Sequence, residues 1–286
     1  MRQDSSSKPG QAEFRKVFDG KGLHAHWEEL HRGDREPYPD APCVARLAKK
    51  HAAFAAFVDA QGGAGAVAAA VQDAWREFHA GQYARAIASG DRLGALGATA
   101  ANKAAAIHSL EQGQSAAHLL KLLEAATPRG EQAVEMLPDY ANAHYMLALV
   151  LGRYSQRISI TRALAAGLAT RVRTHLDAAL RLEPRHAEAH IALGLYHAEI
   201  VAKLGSLLAG LGYQASREAA LEHFQRAIKL APESPVAHIE YANGLLLLNA
   251  SANRDQARRH YERAAACEPL DAMEQLDVAR AQRGPG

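Results

Sequence analysis

EQAVEMLPDYANAHYMLA (131–148), DAALRLEPRHAEAHIALG (177–194) and QRAIKLAPESPVAHIEYA (225–242) are three versions of one stretch. In each, a Pro is followed six residues later by a His with an Ala just before it: Pro138 and His144, Pro184 and His190, Pro232 and His238. ERAAACEPLDAMEQLD (262–277) is a degenerate fourth copy that keeps Pro269 and carries Gln275 in the His position. Upstream of each Pro, an apolar-striped helix ends with a small residue on its packing side: Ala133, Ala179, Ala227 or Ala264. The Pro forbids continuation, and the next helix opens almost at once. Two helices joined so tightly are antiparallel neighbours. Each pair leaves an apolar face that only the next pair can cover. The chain therefore reads as all-α and built of stacked helix pairs.

These residues resemble the tetratricopeptide repeat (TPR). Its second helix carries Ala, an aromatic residue, Ala and then Pro. The same order appears here as Ala220, Phe224, Ala227 and Pro232, and again as Ala257, Tyr261, Ala264 and Pro269. In AWREFHAGQYARAI (74–87), Gly81, Tyr83 and Ala86 match the turn between the family's two helices. The resemblance covers about residues 67 to 280. It implies a right-handed α-solenoid of about five TPR-like helix pairs over 66–286, closed by a helix near Asp271–Arg283. A helical N-terminal cap region is expected over 13–65, and a disordered polar tail over 1–12.

The period departs from that family's roughly 34 residues. The four prolines stand 46, 48 and 37 residues apart. The surplus lies in two inserted segments, 154–174 and 201–218. The first reads as an elongated first helix, a turn near Gly167 and a second helix; the second has Gly205, Gly210 and Gly212 before Ser216, a helix N-cap. Its uncharged stretch LGSLLAGLGY (204–213) is expected to fold back as core. Such lengthened repeats are similar to those of the regulator-of-microtubule-dynamics family and of bacterial TPR proteins of unassigned role. They are also similar to the periplasmic partner proteins of TRAP-type transporters.

Lys plus Arg is 33 against 31 Asp plus Glu, a net charge of +2, which argues against a nucleic-acid partner. No run of about twenty uncharged apolar residues exists, so no transmembrane segment is expected. The alanine-rich run from Ala52 to Val71 comes nearest, and Asp59, Gln61, Gly62 and Gly63 interrupt it. MRQDSSSKPGQAEF has no apolar core of a secretory signal. Cys43 and Cys267 are far apart without metal-site spacing, and suit a reducing compartment. A cytoplasmic, bacterial protein is the expectation. Nearer the start, Asp40 with Pro42 in the first turn predicts a helix running to about Ala60, stopped by Gln61-Gly62-Gly63.

Fifteen histidines raise the question of a metal. His186 and His190 are four apart, but no Glu follows His186 to complete a zinc-hydrolase pattern. The repeated His144, His190 and His238 read as packing or capping at repeat junctions. His197 and Glu199 lie about 200° apart around one helix and cannot pair, so one of them should reach the concave side. No nucleophile elbow and no phosphate loop is present. The expectation is no catalytic residue, no cofactor and no metal: the protein is not read as an enzyme.

A partner would sit in the concave groove, lined by the first helix of each repeat. Carrying the family's groove positions across gives Asn142, Tyr145, Leu149 and Arg153, then Glu188, Ile191, Leu195 and Glu199, then Val236, Ile239, Asn243 and Leu247. Asn243 matches an Asn of repeats that clamp C-terminal carboxylates, but the Lys and Arg of that clamp are missing. The mixture predicts a protein- or peptide-binding adaptor or scaffold. The alternative is small-molecule or lipid binding in a pocket closed by the two inserted segments. A deep apolar cavity favours the alternative, an open shallow groove the adaptor.

Overall fold

The structure of the protein is a computed structural model that describes residues 18–19, 21–111 and 113–284; the tail expected over 1–12 lies outside them. Among the described residues there are fifteen helices and no strand. In chain order they are α1 Gly22–Leu30, α2 Ala41–Lys50, α3 Ala52–Ala60, α4 Ala64–His79, α5 Tyr83–Gly90, α6 Gly94–His108, α7 Ala116–Met136 and α8 Ala141–Ser155. Then follow α9 Ile160–Ala165, α10 Leu168–Leu182, α11 Ala187–Leu204, α12 Ser206–Tyr213, α13 Arg217–Leu230, α14 Pro235–Ala265 and α15 Ala272–Arg283. The architecture is the α-solenoid that the repeat pattern predicts.

The local punctuation follows the sequence, with instructive exceptions. Asp40 caps α2 by accepting from the Cys43 N–H at 2.7 Å. The helix expected to reach Ala60 instead breaks at His51, whose backbone is extended. The His51 ring leaves the helix to meet Asp139 at 2.6 Å, tying the N-terminal region to the first Pro turn. In the first insertion α8 is not elongated: it ends at Ser155, and α9 is a separate short helix capped by Ser159. Gly167 then turns the chain in the left-handed region (φ 61°). Ser216 caps α13 as expected, accepting from the Ala219 N–H at 3.1 Å. The 204–213 stretch is a correction. Ala209 packs inward, but Leu207, Leu208 and Leu211 stand on the surface of α12. An eight-residue helix on a solenoid edge has only one side to bury.

Each repeated histidine rivets a junction. His144, His190 and His238 reach their own repeat's Pro138, Pro184 and Pro232 carbonyls through Nε2 at 3.0, 3.3 and 2.9 Å. A carbonyl only accepts, so Nε2 carries the hydrogen and Nδ1 is left as an acceptor. Those Nδ1 atoms face His175, His223 and His260 on the neighbouring helix at 3.1, 2.9 and 3.0 Å. The Ala-aromatic-Ala pattern has an equally local cause. The Phe224 ring fills the space between α11 and α14, and a Cβ on Gly194 or Gly244 would lie 2.7 or 2.3 Å from its carbons. α14 bends at Asn249, whose φ of −169° and ψ of 96° are not helical, so it serves as two helices.

The centre of the molecule is α6. Its sequence GALGATAANKAAAIH is buried on almost every side, because alanine lets neighbouring helices close in all round. It carries one charged residue, Lys103, into that interior. Among the described residues no single helix is long and apolar enough to cross a membrane; the pair α3 and α4 passes by length and composition together but is bent by 87°.

Candidate functional site

Lys103 cannot sit at 2% exposure without partners, since an unpaired buried ammonium is strongly unfavourable. Its partners come from far along the chain. The segment following α1 enters the concave face, and Asp34 Oδ2 lies 2.6 Å from Lys103 Nζ. Glu188, at the start of α11, approaches from the other side at 3.0 Å. Gly33 packs closely there: a Cβ would fall 2.9 Å from Glu188 Oε1, so the Glu188 side chain would have to shift off Lys103. The Gly33 carbonyl accepts from the Glu188 N–H at 3.0 Å, and the Asp34 carbonyl accepts from Asn142 Nδ2 at 3.0 Å. The groove's own first helices thus hold a segment of the same chain.

The network extends both ways. Tyr145 donates to Glu188 Oε2 at 2.9 Å. Glu36 Oε1 accepts from Tyr140 at 2.9 Å and from Thr99 at 3.1 Å. His31 Nδ1 meets Asp34 at 2.8 Å, while its Nε2 lies 3.3 Å from His79. His79 Nδ1 meets Asp271, the N-cap of α15, at 2.6 Å. Arg32 joins Glu274 and the Glu233 carbonyl, so α15 is latched to the N-terminal segment. Burial pushes His31 down to about 4, which leaves it neutral near pH 7. Burial favours the neutral form of Asp34 too, but the neighbouring charges win and hold its carboxyl well below the usual range; with His31 neutral, Lys103 supplies that charge. Burial, then the Asp34 charge, pushes Glu36 up to about 8. Of the three acids nearest Lys103, Asp34 is its firm counter-ion. Burial raises Glu188 as well, against the pull of Lys103.

Beyond this network the groove opens into a cavity of about 170 Å³, by the measure on which an engineered apolar cavity of roughly that size takes a benzene ring. Its walls are mostly apolar, and the insertions supply part of them. Ile160 and Leu164 of α9, Leu168 and Val172 of α10 and Leu204 at the end of α11 all line it. Ile160 and Leu164 remain 53% and 45% exposed, as residues at a mouth should be. Charged groups also line it, among them Arg153, Glu240 and Asp277. Glu240 Oε1 lies 3.7 Å from Arg153 and 3.5 Å from Arg280, and Asp277 Oδ1 accepts from Arg280 at 2.9 Å. Burial pushes Asp277 up to about 7 despite Arg280.

The groove residues expected from sequence are distributed as follows. Tyr145, Leu149, Arg153, Glu188, Ile191 and Leu195 line the cavity, together with Glu199 and Val236. Glu199 accepts from Gln156 at 2.7 Å and meets Lys203 at 2.9 Å; His197 points elsewhere and accepts from the Ser216 N–H at 3.4 Å. Asn142 lies beneath, bonded to His186 at 2.8 Å and to the Asp34 carbonyl. Ile239 packs in the core of the last repeats. Asn243 joins Glu240 and Tyr261, and Leu247 is exposed away from the cavity. Sequence reasoning missed Asp34, Glu36, Lys103, Asp277 and Arg280. A lone Lys in the otherwise uncharged run of α6 was the available signal, since lysine is almost never fully buried unless paired. Among the described residues no group of three or more His, Cys, Asp or Glu could hold a metal ion.

A helical-repeat scaffold of the TPR type, with a lined cavity on its concave side, is the class this geometry defines. Such folds serve protein binding and scaffolding in general and are typically non-catalytic. The model of the family described as regulator of microtubule dynamics protein 1-3 matches residues 98–282, and the chain belongs to that family. Among solved structures it is similar to TTC0263, a thermophilic TPR protein of Thermus thermophilus, at 18% identity and a TM-score of 0.53; the match covers 76% of this chain and 99% of that one. A fainter likeness, with a TM-score of 0.39 at 17% identity, is to the human IFIT1 dimer with PPP-AAAA, covering 75% of this chain and 54% of that one. No curated protein matches the chain.

Proposed function

We propose that this protein is a non-catalytic binding protein whose concave cavity takes the hydrocarbon part of a small amphipathic molecule. The observation that carries the reading is the cavity's construction. The segments that lengthen the repeats supply Ile160, Leu164, Leu168 and Leu204 to its walls, and a few charged groups, Arg153, Glu240 and Asp277 among them, join the lining. An apolar wall with a few convergent polar groups is how small-molecule sites are generally made. The rival occupant, a peptide laid along the groove, would need Asn142, Tyr145 and Glu188. All three are engaged with the chain's own segment or its counter-charges. A peptide adaptor therefore requires that segment to leave, at the cost of exposing a buried ion network.

The test is titration of the full chain with an environment-sensitive fluorescent fatty-acyl probe, beside an Ile160→Asp/Leu164→Asp variant. Both side chains are more than two-fifths exposed, so the fold should tolerate the change. Saturable one-to-one binding that weakens at least about tenfold in the variant is expected, a loss of roughly 1.4 kcal/mol. Absence of saturable binding by the unaltered chain, or equal affinity in both, would sink the reading.

A further inference from the structure

Five of the seven large hydrophobic residues exposed among the described residues lie on two short helices of the insertions. Ile160 and Leu164 are on α9; Leu207, Leu208 and Leu211 are on α12, where they are 75%, 59% and 79% exposed. The two helices gather at one place. α9 leads through Gly167 into α10, and Ala209 of α12 clusters with Tyr196, against which Ala169 and Val172 of α10 also pack. Leu204, just before α12, lines the cavity together with Ile160 and Leu164. The exposed leucines of α12 therefore stand beside the cavity's open side.

Leu207, Leu208 and Leu211 share one face of α12, and Ala209 occupies the opposite one. SLLAGLGY (206–213) has no charge to keep that face in water. A contiguous apolar face of this kind marks a contact surface. Its size says what the contact is. An eight-residue helix is about 12 Å long and 10–12 Å across. One such face falls far short of the roughly 800 Å² per partner that a stable protein interface buries. Adding α9, about 9 Å long, does not make up the difference. A bilayer sets no such minimum, because each side chain that enters it gains separately.

The charge around the two helices fits an anionic lipid surface. No acid lies between Asp139 and Asp177 or between Glu199 and Glu218, while the first stretch holds five Arg and the second holds Lys203 and Arg217. Arg157 donates to the Ser109 carbonyl. Arg173 and Lys203 meet Asp177 and Glu199 on their own helices at 2.7 and 2.9 Å. Arg162, on α9 itself, meets Glu124 of α7 at 3.5 Å, and Arg171 meets Glu131 of α7. More than a third of every side chain in these last two pairs is exposed. Exposed pairs hold weakly, so a lipid phosphate can take the place of either acid.

We propose that α9 and α12 form a docking surface for an anionic lipid bilayer, on which the protein lies without spanning it. Leu207, Leu208 and Leu211 enter the acyl boundary, and Arg162 meets the phosphates. The cavity mouth then opens against the membrane. The surface goes beyond the amphiphile reading and does not depend on it, since it stands whatever the cavity holds.

Vesicle flotation with the full chain tests it, using equal parts phosphatidylcholine and phosphatidylserine beside phosphatidylcholine alone. The unaltered chain should bind the mixed vesicles, and phosphatidylcholine alone at least about fivefold more weakly. Leu207→Ser/Leu211→Ser should weaken binding to the mixed vesicles at least about tenfold; the change is neutral, so the loss reports apolar contact and not repulsion. Arg162→Glu should weaken it about fivefold. Circular dichroism of both variants should match the unaltered chain. The affinity of the leucine variant for the soluble fatty-acyl probe should also be unchanged, because neither residue lines the cavity. If the chain takes up no probe, the amphiphile reading falls and flotation still decides this one. No binding to either vesicle by the unaltered chain, or equal binding by the leucine variant, overturns the docking surface. Equal binding to the two vesicles overturns its anionic character. A dimer in the ultracentrifuge that the leucine variant turns into a monomer puts a second copy on α12 and overturns the bilayer.

Discussion

The two ends of the concave face are made from the same repeats and finished in opposite ways. Around α6 the groove is filled by the chain itself: Asp34 and Glu188 meet on Lys103, and Asp271 meets His79. Beyond α8 the groove opens into the cavity that the insertions help to line. The first arrangement is what a protein does with polar groups meant to fix its shape. The second leaves an apolar hollow unfilled. The lesson is that composition does not separate the two regions, since both mix acids and cations. Whether the chain's own residues fill the space does.

The comparison breaks most severely if its filled half is undone. Truncation after Glu268 removes α15, and with it the partners of His79 and Arg32. It also uncovers the apolar face of the last repeat. Loss of stability on the order of 3–5 kcal/mol is expected, the scale for stripping one partner from a buried ion pair, together with aggregation. Denaturant titration checks it; an unchanged midpoint would mean that the latch contributes nothing. Slightly smaller, about 3 kcal/mol, should be the effect of Lys103→Met, which packs similarly and leaves Asp34 and Glu188 without their cation. If Lys103→Met proved no more harmful than Ile160→Asp/Leu164→Asp, the distinction between a structural and a binding half would fail.

The third effect is a pH dependence. Burial pushes His31 and His186 in the filled half down to about 4 and about 3, and His223 and His260 in the repeat junctions down to about 4. The fold favours these rings neutral. Their contribution is complete above the ordinary 6.5 and drains as pH falls towards 4, where the unfolded chain binds protons that the folded one refuses. Glu36, raised to about 8, and Asp277, raised to about 7, work the other way and withdraw stability as pH rises from the ordinary carboxylate range to those values. A maximum near pH 6.5 to 7 with a steeper acid limb is expected. Denaturant midpoints across that range would measure it, and a flat acid limb would remove the histidines from the account. The smallest effect should come from Leu207→Ser/Leu211→Ser on the exposed side of α12. A change below about 0.5 kcal/mol is expected, and thermal denaturation showing a large drop would mean that this helix is covered by something.

The repeats were legible because their causes are local. A Pro stops a helix, a His six residues on reaches back to that same Pro, and Ala beside an aromatic ring lets the next helix approach. All of this lies within one unit and recurs. Most of the expected groove positions line the cavity for the same reason, since a helix face repeats with the helix. What sequence could not give was the filling. Asp34 and Lys103 are 69 positions apart, and Arg32 and Glu274 are 242 apart. Nothing periodic links them, and GDREPYPD (33–40) carries only the residues of an ordinary turn-rich connection. The exposed leucines of α12 misled in the opposite sense: an uncharged run reads as core unless one knows how little there is to pack against.

The latch between Arg32 and Glu274 has a consequence for how the chain comes into being. A solenoid can assemble as it is made, each unit docking on the one before it. Here the segment that fills the groove is synthesised early, while Glu188 and α15, which hold it, follow much later. During synthesis, then, the early acids and Lys103 await their neighbours, and the groove can be closed only when α15 has emerged from the ribosome. Closure is a single late event that joins segments lying far apart in the order of synthesis. A stall before Asp271 would leave an open spiral with its charged interior facing water.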